Sequence, residues 1–212
     1  MMNRYEIEVP TKYIEVLKLF AAKNDIRYYL NGICFEFGCG KETLMLATNG
    51  HKFGIFRLKE KFECETRQQY IVPLKFLNAL KLSKTLIDAP FTFFTENKTQ
   101  KITALDKEGF YITCNAIDGC FPNYYRLAVE KTNGEAGWFQ PQYLMDLSKA
   151  AKILHNDPLK FSVGDNSGGC CPISLQDENF TGVLLPLSKT LSVEKPKATA
   201  QWFYDMCQKD KP

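Results

Sequence analysis

One feature limits the possible folds more than any other: a proline-led helix signal occurs three times. "VPTKYIEVLKLF" begins at Val9, "VPLKFLNALKLS" at Val72 and "FQPQYLMDLSKAAKIL" at Phe139. The prolines Pro10, Pro73 and Pro141 stand 63 and 68 residues apart. Proline suits a strand end and a first helical turn, where a missing N–H costs little. Behind each proline, apolar residues recur at three- and four-residue spacing. Ile14, Leu17 and Ala21 form the first stripe. Leu74, Leu77 and Leu80 form the second, widened by Ala79, and Leu144, Leu147, Ala151 and Leu154 the third. This spacing predicts three amphipathic helices, each with one face against a sheet.

Strand-like runs follow each helix. "IRYYLNGICFEF" and "ETLMLATNGHKFGIFRL" come after the first. "PFTFFTEN", "TQKITALD" and "GFYITCNA" come after the second, and "LKFSVG", "CPISLQD" and "TGVLLPL" after the third. Gly38-Cys39-Gly40, Asn49-Gly50, Lys107-Glu108-Gly109 and Asp165-Asn166 mark turns. The repeating unit is strand, helix and about three strands, an α+β pattern with helices packed on antiparallel sheets. A single unit leaves apolar surface uncovered, so units should associate. Two make a natural domain, and the third is odd. The expected division is 1–130 as two units, 131–190 as one unit, and 191–212 as a tail with a short helix around Trp202 and Phe203.

Several function classes recede on composition. With 212 residues and 45% apolar content, the chain can bury a sizeable core without covalent staples. Its eight cysteines include no CxxC pair, and His51 and His155 stand at no zinc-like spacing to them, so reduced thiols and no metal are expected. "GCGKET" lacks the spacing of a phosphate-binding loop. His51 has no serine, cysteine or carboxylate relay in view, and no catalytic residue and no cofactor is expected. The N-terminal run alternates without a signal-like apolar block, and no run is long enough to span a membrane, so a cytoplasmic location is expected.

Four segments carry a resemblance. "NDIRYYLNGICFEF" (24–37), "LATNGHKFGIF" (46–56), "DGCFPNYYRLAVEK" (118–131) and "TGVLLPL" (181–187) resemble, in family order, segments of the bacterial DNA polymerase III beta subunit, the beta sliding clamp. The resemblance implies a DNA-clamp-like fold for roughly residues 5–190. Residues 5–130 match a complete middle domain, and 136–190 match only the second half of the third. Family clamps are two-chain rings around duplex DNA. They dock short motifs of replication and repair proteins between their second and third domains.

Carried over position by position, the resemblance implies a peptide pocket. Leu30, Thr48, Gly50, His51, Lys52 and Phe53 would form one side, with Pro122 and Leu127 from the FPxY segment. Val183, Leu185, Pro186 and Leu187 would form the other. Phe53 stands where an aliphatic residue is usual, Leu185 and Leu187 where methionines are, and Ser188 where an arginine is. His51 and Lys52 are expected at the rim. From the Asn-Gly turn alone, an ordinary hairpin is the simpler reading.

The predicted helices, over 11–23, 74–84 and 141–154, carry +6 against +3 for the whole chain, leaving −3 elsewhere. Such a basic face suits sequence-independent phosphate contact. By resemblance, Asn24, Tyr28, Tyr29, Lys75, Lys81, Lys149 and Lys152 are candidate DNA contacts, and plain solvation or strand packing explains them equally well. The ring-closing surfaces of the family lack counterparts here. A monomer, rather than the standard two-chain ring, is expected. The functional expectation is a non-enzymatic clamp-like protein that binds clamp-binding motifs, as competitor or tether. The alternative is a multimeric processivity factor encircling DNA.

Overall fold

The computed structural model describes residues 4–38, 42–63, 66–80, 88–96, 99–105, 109–129, 131, 137–166 and 169–187. The first unit opens with β1 (Arg4–Pro10), whose alternation buries Tyr5, Ile7 and Val9 and turns Arg4, Glu6 and Glu8 outward. Helix α1 (Thr11–Phe20) starts directly behind Pro10 and buries Tyr13, Ile14, Val16, Leu17 and Phe20. Each fully buried side chain of this size contributes roughly 1.5–3 kcal/mol. Then come β2 (Gly32–Phe37), β3 (Glu42–Thr48) and β4 (Lys52–Lys61).

The second unit repeats the plan with β5 (Gln68–Pro73), α2 (Leu74–Ala79), β6 (Asp88–Glu96), β7 (Thr99–Leu105) and β8 (Tyr111–Asn115). The third has α3 (Pro141–His155), β9 (Ser162–Val163), β10 (Cys171–Ser174) and β11 (Phe180–Leu184).

The units interlock by exchanging their first strands. β1 pairs with β6 of the second unit, and β5 pairs with β2 of the first. Two antiparallel sheets result, β1-β6-β7-β8 and β5-β2-β3-β4-β11-β10-β9. Aromatic rings fill the space where they meet. Tyr5 stacks on Phe37 at 4.3 Å, and Phe35 lies 4.8 Å from Phe93. The third unit adds to the exposed edge of the first through β4 and β11, while α3 packs on α1.

That last joint rests on two facing glycines. Gly54 lies opposite Gly182. A Cβ on Gly54 would stand 3.0 Å from the Phe20 ring, and one on Gly182 would stand 2.7 Å from the Phe53 carbonyl oxygen. Without side chains here, Phe20 of α1 lies flat on the seam between units.

The structure departs from the sequence reading in places. Residues 26–31 are not strand. Tyr28–Leu30 form a single 3-10 turn, and Asn24 has a left-handed φ of 57°. The cause is local: the Asn31 side chain accepts from the Asp25 N–H at 2.9 Å and donates to the Asp25 carbonyl at 2.9 Å. Ala79 is exposed because α2 turns it away from the core. Leu144 is also exposed, since only Leu147, Ala150, Ala151 and Leu154 of α3 are buried. The 191–212 tail lies outside the described residues.

Candidate functional site

The turn from β3 to β4 is fixed by its own side chains. The Asn49 Oδ1 accepts from the N–H groups of His51 (2.9 Å) and Lys52 (3.0 Å). The Thr48 hydroxyl donates to the Lys52 carbonyl at 2.8 Å and accepts from the Gly50 N–H at 3.0 Å. Gly50 has φ 88°, a conformation that L side chains rarely adopt. The turn therefore presents the His51 carbonyl to the third unit, where it accepts from the Leu185 N–H at 2.7 Å. This bond continues the β4–β11 pairing one residue past β11.

A second wall comes from residues 121–127. It is held by Glu36 of β2, which is buried and accepts from the Tyr124 hydroxyl and Gln69 Nε2, both at 2.9 Å, and from Arg67. The Arg67 guanidinium lies 5.5 Å from the centre of the Tyr124 ring and 5.0 Å from that of Tyr125. Burial, then the Glu36 charge, pushes the Tyr124 phenol far up, so it stays a neutral donor. Tyr124 also stacks on Phe53 at 5.5 Å. The substituted phenylalanine thus serves as a shelf for the wall.

Between these elements lies a cavity of about 320 Å³. Leu30, Thr48, Gly50, His51, Lys52, Phe53, Pro122, Leu127, Val183 and Leu185 all line it. Leu30, Phe53 and Val183 are buried, Leu127 and Leu185 are half-buried, and Pro122 is exposed. Apolar anchors at the base with backbone and polar groups at the mouth suit a peptide side chain better than a polar metabolite. A larger depression of about 730 Å³ lies on the outward face of β1 and β6, lined by Arg4, Glu6, Glu8, Thr92 and Thr103. Pro90, Phe94 and Tyr111 also line it, and its charges are mixed, with Arg4 against Glu6 and Glu8.

Four of the expected placements need correction. Lys52 is not a free rim cation: 4% exposed, it forms an ion pair with Asp146 of α3. Its ammonium also lies 5.3 Å from the Tyr143 ring centre. Burial lowers its pKa, with Asp146 opposing. Lys52 therefore joins the units. Pro186 and Leu187 fall outside the cavity lining. Pro186 stands beside Gly137, and the Leu187 N–H donates to the Trp138 carbonyl at 2.6 Å. Tyr29 lines the cavity.

The sequence reading did not single out four lining residues: Arg27, Phe121, Asn123 and Tyr124. Three lie inside the FPNYY segment that carried the resemblance. Arg27 had no signal of its own. It pairs with Asp25 at 2.8 Å and holds its guanidinium where a Gly50 Cβ would stand, 3.0 Å away.

Of the candidate DNA contacts, Asn24, Tyr28, Lys75, Lys149 and Lys152 are exposed, and Lys81 lies outside the described residues. Lys18, counted in the basic face, is turned inward to Glu15 (2.7 Å) and the Leu77 carbonyl (3.3 Å). Among the described residues no cluster of three or more His, Cys, Asp or Glu could hold a metal ion. No helix among them is long and apolar enough to cross a membrane.

Comparison with known proteins bears on this geometry. The family model for the DNA polymerase III beta subunit, central domain, matches residues 6–123. The beta sliding clamp of Pseudomonas putida is 33% identical over 117 residues, 55% of this chain and 30% of that protein. That of Vibrio cholerae is 32% identical over 147 residues, 69% of this chain and 38% of that protein. The chain thus spans about a third of the length of the curated relatives it matches, from 28% to 39%.

Solved structures share the fold. The Helicobacter pylori beta clamp bound to a DNA ligase peptide matches with TM-score 0.61 and 11% identity, covering 87% of this chain and 65% of that one. The Pseudomonas aeruginosa sliding clamp bound to griselimycin matches with TM-score 0.57 and 16% identity, covering 88% and 65%. With more than half of its length accounted for by the central-domain model, this chain belongs to the DNA polymerase III beta subunit family, the bacterial sliding clamps.

Proposed function

We propose that this chain is a non-enzymatic clamp-like protein that binds the clamp-binding motifs of replication or repair proteins. One observation carries the reading: Leu30, Phe53, Leu127, Val183 and Leu185, drawn from distant parts of the chain, converge on one apolar cavity beside the fixed turn 48–52. A five- or six-residue peptide can place one or two apolar anchors there, and such anchors supply most of the affinity of small interfaces. Gly50 and the backbone of the turn offer close approach and polar orientation. The pocket does not depend on ring closure, which supports a role as tether or competitor. The exposed Asn24, Tyr28, Lys75, Lys149 and Lys152 add weak, sequence-independent attraction to duplex DNA.

The test is direct titration. The H. pylori relative was crystallised with a DNA ligase peptide, so a fluorescent ligase-derived peptide is a suitable probe. Saturable binding with Kd on the order of 1–100 μM is expected, equivalent to about 5.5–8 kcal/mol. No saturation by about 1 mM, some 4 kcal/mol, overturns the reading.

A further inference from the structure

A shorter form of the proline-led pattern stands in the tail, outside the described residues. "TLSVEKPKATAQWFYDM" begins at Thr190, alternates at Leu191 and Val193, reaches Pro196 and continues with helical spacing. Its positions match those of the earlier units. Leu191 and Val193 stand five and three residues before their proline, as the buried Tyr5 and Ile7 do before Pro10. Trp202 and Met206 stand six and ten residues after it, like the buried Val16 and Phe20. Phe203 stands seven after, like the buried Leu17 and Leu80. The tail thus reads as the opening strand and helix of a further unit.

The fold shows where such an opening goes. β5 leaves its own unit to cover β2, the first strand after α1, and β1 likewise covers β6, the first strand after α2. In both pairs the proline lies opposite the first residue of the covered strand: Pro73 opposite Gly32, Pro10 opposite Asp88. The first strand after α3 is β9, outermost in the order β4-β11-β10-β9. Connection length agrees. Pro73 stands twelve residues after Lys61, the end of β4, and Pro196 twelve after Leu184, the end of β11. In the first unit that length carries the chain past β3 and β2 into β5. The third unit also keeps apolar surface in solvent. Leu144 (36%), Met145 (54%) and Ile153 (39%) of α3 are exposed, and Leu159 is 83% exposed, whereas α1 and α2 expose no large apolar residue. Such surface is buried only against another element.

We propose that the tail docks on the third unit of its own chain: residues 191–195 pair antiparallel with β9, and 197–207 pack as a helix beside α3. The equivalent register sets Pro196 opposite Ser162, the first residue of β9. Hydrogen-bond direction agrees with it. The Gly164 N–H donates to the Pro172 carbonyl at 2.8 Å, and β9 pairs antiparallel with β10, so alternation turns the Val163 N–H away from β10. Lys195 and Val193 supply the carbonyls for Val163 and Asp165, and Pro196, which has no N–H, falls where none is needed. The Leu74 N–H at the start of α2 donates to the Asn31 carbonyl just before β2, at 3.0 Å. The corresponding bond joins Lys197 to Phe161 and brings the first turn of the tail helix over Leu159. Lys195 takes the place of the buried Val9 and Val72. Beside the half-buried Val163 its stem lies inward and its ammonium reaches solvent. The occupant is the chain's own tail because strand, proline, helix and connection length belong to one segment that starts directly behind Leu187. The inference is independent of peptide binding.

Amide hydrogen exchange of the full chain, followed by NMR, tests this. The N–H groups of Val163 and Val193 should exchange at least about tenfold more slowly than in an unstructured chain. That protection should not change with protein concentration between about 1 and 100 μM, because an intramolecular contact is insensitive to mass action. Val193→Asp puts a carboxylate on the core-facing side of the tail strand, so it should release Val163 and the tail together while β2 and β5 keep their protection. Trp202→Ala should do the same from the helix side if the aspartate variant fails to fold. A tail that exchanges as an unstructured chain overturns the proposal. So does a tail released by Val193→Asp or Trp202→Ala with Val163 unaffected, which would place its docking elsewhere. Protection that grows with concentration also overturns it, and assigns the tail to a second copy.

Discussion

At the scale of single residues, two side chains of the cavity stand out as only partly buried. Leu127 and Leu185 stand on opposite walls and are half-buried. Replacing either by aspartate puts a carboxylate against an apolar ligand while leaving the core intact. Peptide affinity should fall at least about tenfold, roughly 1.4 kcal/mol, with unfolding free energy nearly unchanged. Equal loss of stability would mean that the residue is structural. Arg27 offers a second check. Its hydrogen bonds hold the Asp25 carboxyl down at about 2. Because the folded pKa is depressed, the Asp25–Arg27 contact is intact above pH 4 and is lost as pH falls through 2. Carboxyl NMR should find that midpoint, and Arg27→Met should return it towards 3.8. An unmoved midpoint would show that the cause lies elsewhere.

At the scale of elements, the seam between β4 and β11 builds the site. It brings Val183 opposite Phe53 and passes the His51 carbonyl to Leu185. Gly182→Ala drives a methyl group into the Phe53 carbonyl oxygen, so the strands must part. Overpacking of this kind costs typically about 1–3 kcal/mol. Urea unfolding should register the loss, and the variant should bind peptide less well although residue 182 lies outside the cavity lining. Wild-type stability in that variant would mean that the seam is loose. The Lys52–Asp146 pair ties the same two units from the helix side, which explains why a lysine expected at the rim is buried.

At the scale of the whole molecule, the helix segments carry the chain's net positive excess, but not all of their lysines face outward. Lys18 of α1 is paired with Glu15 and turned inward. The proposed DNA contact therefore rests on a smaller set, with Lys149 and Lys152 together on α3. Fluorescence anisotropy with a labelled duplex should show weak binding that falls steeply with salt. Lys149→Ala with Lys152→Ala should flatten the log–log salt slope by about 2, one unit for each lost phosphate contact. An unchanged slope would place the DNA elsewhere.

Much of this was legible in the sequence because helix and strand periods are local. Pro10, Pro73 and Pro141 mark helix starts, and all three helices begin at or directly after them. The four resembling segments led to ten residues of one cavity without any coordinates. What the sequence could not settle were long-range choices. The exchange of β1 and β5 between units, the facing of Gly54 with Gly182, and the turning of Lys52 from solvent to Asp146 depend on which surfaces meet. The strand misread at 26–31 has the same cause on a smaller scale, since Asn31 bonds back to Asp25 and outcompetes extension. Periodicity in the chain determined which residues face inward. Only the packed sheets decided which inward faces share a wall, because strand pairing joins segments whose separation in sequence carries no local signal.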